Sequence, residues 1–330
     1  MRALGLFGCL ALLVAGCDDE ESLTPVPLSG TVVVTFNSGT SEAMGHDALP
    51  DDGYGTEQAT WSDQWYGDGL AWQAVLEDTT RFFEGLDADI VSFQEIFYSG
   101  DCELIPEEAR AGFVCETWQP GDLTVAQRVV GAGWQVACHL GKPDKCAAVR
   151  RSFGTFRGCD ADLCLDGLAG AEVDGCGHGA RIGRGVIDRV DGSTLTVVNV
   201  HGSSGLDEDD QLCRAAQFEQ VFVDLGLGDG EPAANGERNL IMGDFNTDPG
   251  RWTDLPGAMV VNNHVGDGKP FHFVTEVGSA ADPTYVLFNI DHVISDTFNG
   301  SCWAAGVTTG HPAVSDVLYF DHKPIVCRIN

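Results

Sequence analysis

The segment "NLIMGDFNTDP", residues 239–249, is an apolar run that stops abruptly at an acid, an aromatic, an amide and a proline turn. A buried strand that ends in polar side chains can hold them rigidly where they face a cleft. Asp244 and Asn246 stand two apart on what reads as one extended segment, so both side chains would face the same way. The pair then offers a charged acceptor beside a neutral amide donor.

Other apolar runs break off in the same manner. "TVVVTFN" (31–37) ends in Asn37, "ADIVSFQ" (88–94) runs into Glu95, and "STLTVVNVH" (193–201) finishes with Asn199 and His201. "YVLFNIDHVIS" (285–295) carries Asp291, and Asp321-His322 stand directly before "KPIVCRI" (323–329). Between the first two runs Val75, Thr79, Phe82 and Leu86 recur at helical spacing, which predicts a helix over 70–86 with one face on a sheet. Leu212, Ala215, Phe218, Phe222 and Leu225 predict a second amphipathic helix, started by the acidic cluster 207–210. The "DG" at 191–192 joins "RGVIDRV" to the following strand as a hairpin. Strands in hairpins as well as crossovers give mixed sheets covered by helices.

In this order the motifs resemble the deoxyribonuclease I-like endonuclease/exonuclease/phosphatase superfamily over about residues 31–330. The shared elements are the strand ending in Asn37, "IVSFQE", "VNVH", "GDFN", "NIDHVIS" and the Asp-His of "FDHKPIV". The resemblance implies an α/β fold, a four-layered sandwich with two mixed sheets, and phosphoester hydrolysis with Mg2+, Mn2+ or Ca2+. Relatives include nucleases, sphingomyelinases and inositol-phosphate phosphatases, so the substrate stays open.

The residue types agree with that chemistry. Glu95 and Asp321 are hard oxygen ligands for such an ion, with Asn37 placing Glu95 or joining the metal. Asp244 orients or deprotonates the attacking water, and Asn246 donates to a phosphoryl oxygen without adding charge. His322 serves in acid/base transfer, by the resemblance with Asp291 as its partner, and His201 is the second histidine, donating to phosphate. Two features depart from the family pattern. Phe320 stands where the family has Ser before the final Asp-His, and a Cys/Gly/Asp-rich insertion (158–179) follows "KCAAVRRSFG", leaving no catalytic Tyr to assign. Arg150 and Arg151 are candidate phosphate contacts.

The N-terminal "MRALGLFGCLALLVAGC" has one basic residue and a short apolar stretch, the pattern of an export signal. Its "VAGC" resembles the lipobox of bacterial lipoproteins, with Cys17 lipidated after loss of residues 1–16. Residues 17–30 then form a Pro-containing acidic tether, and 31–330 the catalytic domain. This reading puts the protein in the bacterial cell envelope, anchored to membrane on the periplasmic or outer side, with no protein partner. Of twelve cysteines, setting aside Cys9 and Cys17 leaves ten, an even count that in an exported chain implies disulfides. Cys102 with Cys115, Cys138 with Cys146, and Cys159 with Cys164 are candidate staples; zinc is the competing reading of the last pair.

The net charge of -32 excludes a broad basic nucleic-acid footprint, although a divalent ion can supply positive charge at a phosphate. Three functions follow: a metal-dependent phosphodiesterase acting on nucleic acid, the same chemistry on a phospholipid headgroup or inositol phosphate, and a catalytically silent binding domain. Aromatic wedges on exposed loops would favour lipid, and Trp61, Trp65 and Tyr66 are the candidates.

Overall fold

The structure is a computed structural model and describes residues 30–41, 46–49, 51–177 and 179–330. The export signal, Cys17 and all but the last residue of the tether lie outside the described residues. Thirteen strands and five α-helices are described. The first sheet contains β1 (Thr31–Asn37), β2 (Ile90–Gln94), β3 (Trp134–His139), β4 (Lys142–Arg150), β6 (Leu163–Cys164), β12 (Gly300–Ala304) and β13 (Ile325–Ile329). The second contains β5 (Gly154–Phe156), β7 (Ile182–Arg189), β8 (Thr194–His201), β9 (Asn239–Asp244), β10 (His272–Phe273) and β11 (Asp291–Ser295). Their orders are β12-β13-β1-β2-β4-β3-β6 and β10-β11-β9-β8-β7-β5. Both sheets are mixed: β1 with β2 and β8 with β9 run parallel, whereas β1 with β13, β2 with β4 and β9 with β11 run antiparallel.

Alternation along the strands sorts side chains into three apolar layers. Val33, Ile90, Ala147, Val197, Leu240, Met242 and Val293 interdigitate between the sheets. On the outer face of the first sheet, Val34, Phe36 and Phe93 meet α1 (Thr56–Trp61), α2 (Gln73–Gly85) and α3 (Val125–Val130). On the outer face of the second, Val198, Val200 and Ile241 meet α4 (Glu208–Phe222) and α5 (Pro256–His264). Helix, sheet, sheet and helix make the four layers that the motifs imply.

Two helices differ in detail from the periodicity. On α2 the buried stripe is Val75, Leu76, Thr79 and Phe83, with Phe82 and Leu86 only packed at its margin. On α4 the buried face is mostly polar, made by Gln211, Arg214, Gln217 and Gln220 with Phe218 and Val221, while Leu212 is 53% exposed. Arg214 is fully covered because its guanidinium donates to the carbonyls of Ser203 (2.6 Å) and Gly205 (2.7 Å) in the loop after β8. The strand expected over 285–295 is shorter, since Tyr285 and Phe288 close a turn and β11 begins at Asp291.

All ten cysteines after Cys17 are paired. The three expected staples form, joined by Cys176–Cys213 and Cys302–Cys327, which overturns the zinc reading of Cys159 and Cys164. Five disulfides suit a non-reducing, exported environment. Among the described residues no helix is long and apolar enough to cross a membrane.

Candidate active site

Strand direction brings the polar residues to one end of the sandwich. β1, β2, β8 and β9 reach that end with their C-termini, while β4, β11 and β13 start there because they run the other way. Asn37, Glu95, His201, Asp244 and Asp291 therefore gather at the edge of the inter-sheet layer, and Asp321-His322 arrive on the segment entering β13. Register tightens the group: Asp244 is directly opposite His201 on one side and Asp291 on the other. Behind it, a buried amide bridge ties the sheets together. Gln94 Nε2 donates to Asn199 Oδ1 (2.9 Å), and Asn199 Nδ2 donates to the carbonyls of Phe93 (2.9 Å) and Cys146 (3.0 Å).

Asp244 is buried and its hydrogen bonds are specific. Oδ1 accepts from the Asn246 backbone N–H (2.7 Å), and Oδ2 accepts from Asn246 Nδ2 (2.8 Å) and Asn37 Nδ2 (3.1 Å). The two residues of the opening motif do meet, though not as neighbours on an extended strand. β9 ends at Asp244, Phe245 turns into the core, and Asn246 takes a left-handed φ of 48°, folding its amide back onto Asp244 and the Gly202 carbonyl (3.0 Å). Glu95 also has a left-handed φ, 55°. Such backbone is uncommon outside glycine and clusters where side chains must be aimed. Gly243 is required for a different reason: a Cβ there would stand 1.8 Å from the Val200 carbonyl oxygen.

His322 Nδ1 and Asp291 Oδ2 are 2.8 Å apart, and His322 Nε2 points toward Asp244 Oδ2 at 3.9 Å. Burial alone would lower His322, but the carboxylates of Asp291 and Asp244 outweigh it and raise the imidazole to about 10. Burial raises Asp244, and His322 counters only part of that. His201 Nε2 lies between Glu95 Oε1 (3.2 Å) and Asp244 Oδ2 (3.7 Å). Burial pushes His201 down to about 4 against the pull of Glu95, so the ring is neutral at physiological pH. In this arrangement its donor faces carboxylates.

Glu95 and Asp321 carry the features of a cation site. Burial pushes Glu95 up, but the His201 hydrogen bond, the charge of His322 and a hydrogen bond from Asn37 hold it at about 2. Asp321 is raised to about 6 by burial, with His322 opposing and Glu95 adding repulsion, and its Oδ1 is buried without a hydrogen-bond partner. The Gly39 backbone passes so close that a Cβ would meet Glu95 Oε2 at 2.1 Å, and Asn37 Oδ1 accepts from the Gly39 N–H (3.0 Å). An orphaned carboxylate oxygen, a second ionised carboxylate and an amide oxygen are the hard donors that Mg2+, Mn2+ or Ca2+ takes, so these residues fit such an ion. Ligand atoms of Asp244, Asp291 and His322 also lie within 4.8 Å of one another. The His322–Asp291 hydrogen bond and the three donors on Asp244 suit that trio to handling protons instead.

Several expectations change. Arg150 donates to the Ala88 carbonyl (2.8 Å) and pairs with Asp87, and Arg151 pairs with Asp162. Both sit at the end of β4 remote from the site and are committed there. Tyr66 is not a loop wedge, being buried and stacked on Phe113 at 4.1 Å, and Trp61 and Trp65 pack half-buried against the same core. Phe320 is buried with its ring edge on Phe36 (4.9 Å), filling core where a hydroxyl would be stranded. Tyr285 has its ring 4.8 Å from that of His322, a neighbour that the sequence alone did not mark.

No protein-family model and no curated protein matches the chain. Among solved structures it is similar to an endonuclease/exonuclease/phosphatase family protein from Bacteroides thetaiotaomicron, at 12% identity and TM-score 0.50, over 91% of this chain and 97% of that one. It is also similar to an endonuclease/exonuclease/phosphatase from Beutenbergia cavernae (14%, TM-score 0.48, 91% of this chain and 71% of that one). A third is beta toxin from Staphylococcus aureus (13%, TM-score 0.48, 90% and 99%). At such identity the likeness is one of fold, and the two-sheet sandwich of the first of these is the fold of this chain.

Proposed function

We propose that the protein is a metal-dependent phosphodiesterase whose active site is the cluster at the strand ends. The observation that carries this reading is the His322–Asp291 pair at 2.8 Å, aimed at Asp244, with Glu95 and Asp321 near enough to repel each other. Glu95 and Asp321 would hold the ion, with Asn37 fixing Glu95. When bound, a divalent ion offsets charge on the phosphoryl oxygens. Asp244, fixed by Asn246 and Asn37, orients the attacking water and accepts its proton. His322, kept charged by its two carboxylate neighbours, donates from Nε2 to the phosphoryl group, while Asp291, accepting from Nδ1, fixes the orientation of the ring. Asn246 acts by holding Asp244, since its amide is already given to that carboxylate.

A specific observation favours lipid among the substrates. Leu140 (68% exposed), Leu206 (75%), Val286 (68%) and Leu287 (69%) are all on loops that leave the site end of the sheets. Apolar side chains there suit a lipid surface, whereas the arginines 150, 151 and 157 are paired with acids and offer no basic groove. The nuclease reading rests on the fold and the residue set. Export and lipidation of Cys17 belong to the same proposal, supported by the complete pairing of the other ten described cysteines. Unchanged partitioning into detergent after Cys17→Ser would remove the anchor from it. The substrate is decided by incubating the oxidised protein with plasmid DNA, sphingomyelin vesicles, inositol phosphates and bis-p-nitrophenyl phosphate, with and without EDTA. Metal-dependent release from at least one supports the proposal, and none from any of them leaves the binding-domain reading.

A further inference from the structure

Lys145 lies inside the apolar run "KCAAV" at the site end of β4, and nothing in the acid-histidine cluster accounts for it. Its parity on the strand is that of Ala147 and Val149, so it faces the inter-sheet layer. The residue is 0% exposed, and its Nζ has no hydrogen-bond partner. The nearest carboxylate oxygen, Asp144 Oδ1, is 4.0 Å away, beyond hydrogen-bond reach, and Asp144 Oδ2 is already taken by Lys142 at 2.8 Å. Across the layer, Arg181 directly precedes β7 and shares the parity of Ile187, which is also in the inter-sheet layer. Its Nε is likewise buried without a partner.

These two basic residues adjoin the site. His201 N–H donates to the Arg181 carbonyl (3.0 Å), and the carbonyl of Cys146, next to Lys145, accepts from Asn199 (3.0 Å), two residues before His201. Burial pushes the Lys145 amine well below the usual lysine range, toward its neutral form; Asp144 and Glu95 oppose that, and Lys142 and Arg181 add to it. Buried cationic donors are normally paired, because leaving one unmade costs the whole desolvation of the group. In a chain of net charge -32, a Lys145 Nζ and an Arg181 Nε that both lack a partner are not explained by a shortage of acids. They lack an acceptor of the right shape.

We propose that Lys145 and Arg181 form a seat for a phosphate oxyanion next to Glu95 and His201, on the side of the cluster away from His322. This deepens the phosphodiesterase reading and rests on it for the identity of the anion. The tetrahedral oxygens would take one bond from Lys145 Nζ and one from Arg181 Nε, and the phosphate charge would favour the protonated amine. The seat holds the phosphoryl group while Asp244 and His322 face it from the other side, and it retains the phosphate end of the product.

The test is binding of inorganic phosphate to the full oxidised chain in EDTA, read by thermal shift and by calorimetry, so that neither turnover nor an added ion is needed. The wild type is expected to be stabilised by phosphate, and Lys145→Met to weaken binding by about tenfold or more, the loss of one charge-assisted hydrogen bond. Arg181→Gln should weaken it too, and Lys145→Arg should restore part of it. Without phosphate, Lys145→Met should melt no lower than wild type, because it removes a buried amine that has no partner. A purely structural lysine would instead give a lower melting temperature with phosphate affinity unchanged. A second arm with vesicles of phosphatidic acid in phosphatidylcholine separates lipid-borne from free phosphate. Lys145-dependent binding in either arm supports the seat. Equal affinity in wild type, Lys145→Met and Arg181→Gln, or no binding in either arm, overturns it. If phosphate binds through Lys145 but no phosphodiester is cleaved, the enzymatic reading fails and the seat stands; normal turnover without phosphate binding has the reverse meaning.

Discussion

His322 carries its charge because Asp291 and Asp244 flank it, and in the proposed reaction Asp291 would serve only through that contact. Residues that act as one unit lose their effects non-additively. We therefore expect Asp291→Asn to lower kcat by weakening the imidazolium and freeing the ring, and the double variant Asp291→Asn/His322→Ala to be scarcely slower than His322→Ala. Fully additive losses would separate the two residues. Asn246→Asp should cost activity by another route. Its amide donates to Asp244 Oδ2 at 2.8 Å, and a carboxylate in its place would set two negative groups together. Steady-state kinetics on the best substrate, with circular dichroism to verify folding, checks each variant.

At the scale of elements, the strands were legible because a buried strand advertises itself as an uninterrupted apolar run. The ends of β1, β2, β8 and β9 could be read from where those runs stop, and that placed Asn37, Glu95, His201 and Asp244 correctly. The route of the chain just past a strand end was not legible. Asn246 reaches Asp244 through a left-handed turn, not through strand alternation, and no residue type in "GDFN" dictates that φ. α4 differs from its expected face for a related reason. Its covered face is built from glutamines and Arg214, which periodicity of apolar residues cannot see. Lys145 is not legible either, because one lysine in an apolar run is less conspicuous than the adjacent Arg150 and Arg151. Arg214 provides the test at this scale, since it clamps the carbonyls of Ser203 and Gly205 behind His201. Arg214→Ala should destabilise the fold by about 3 kcal/mol, as buried carbonyls lose charged donors. Urea unfolding measures it, and a change within experimental error would show that the loop after β8 stands without the clamp.

For the whole molecule, the sandwich explains how acids can crowd together at one end. Both sheets are braced behind the site by the Gln94–Asn199 bridge and by the inter-sheet layer, so the carboxylates cannot separate when they repel. Disulfides fasten the periphery, including Cys176–Cys213, which ties the Cys/Gly/Asp-rich insertion to α4. Unreduced protein should yield no free thiol from the ten cysteines beyond Cys17 by mass spectrometry, and free thiols in quantity would count against the framework. The central claim is that Asp244 is the acceptor in a metal-dependent phosphodiesterase site. It is tested most directly by the turnover of bis-p-nitrophenyl phosphate by wild type and Asp244→Asn, each chelated and then resupplied with Mg2+, Mn2+ or Ca2+. The account predicts that wild-type turnover vanishes on chelation and returns with metal, and that Asp244→Asn, folded and equally stable, is slower by about 10² or more; an Asp244→Asn variant that turns over like wild type would contradict it.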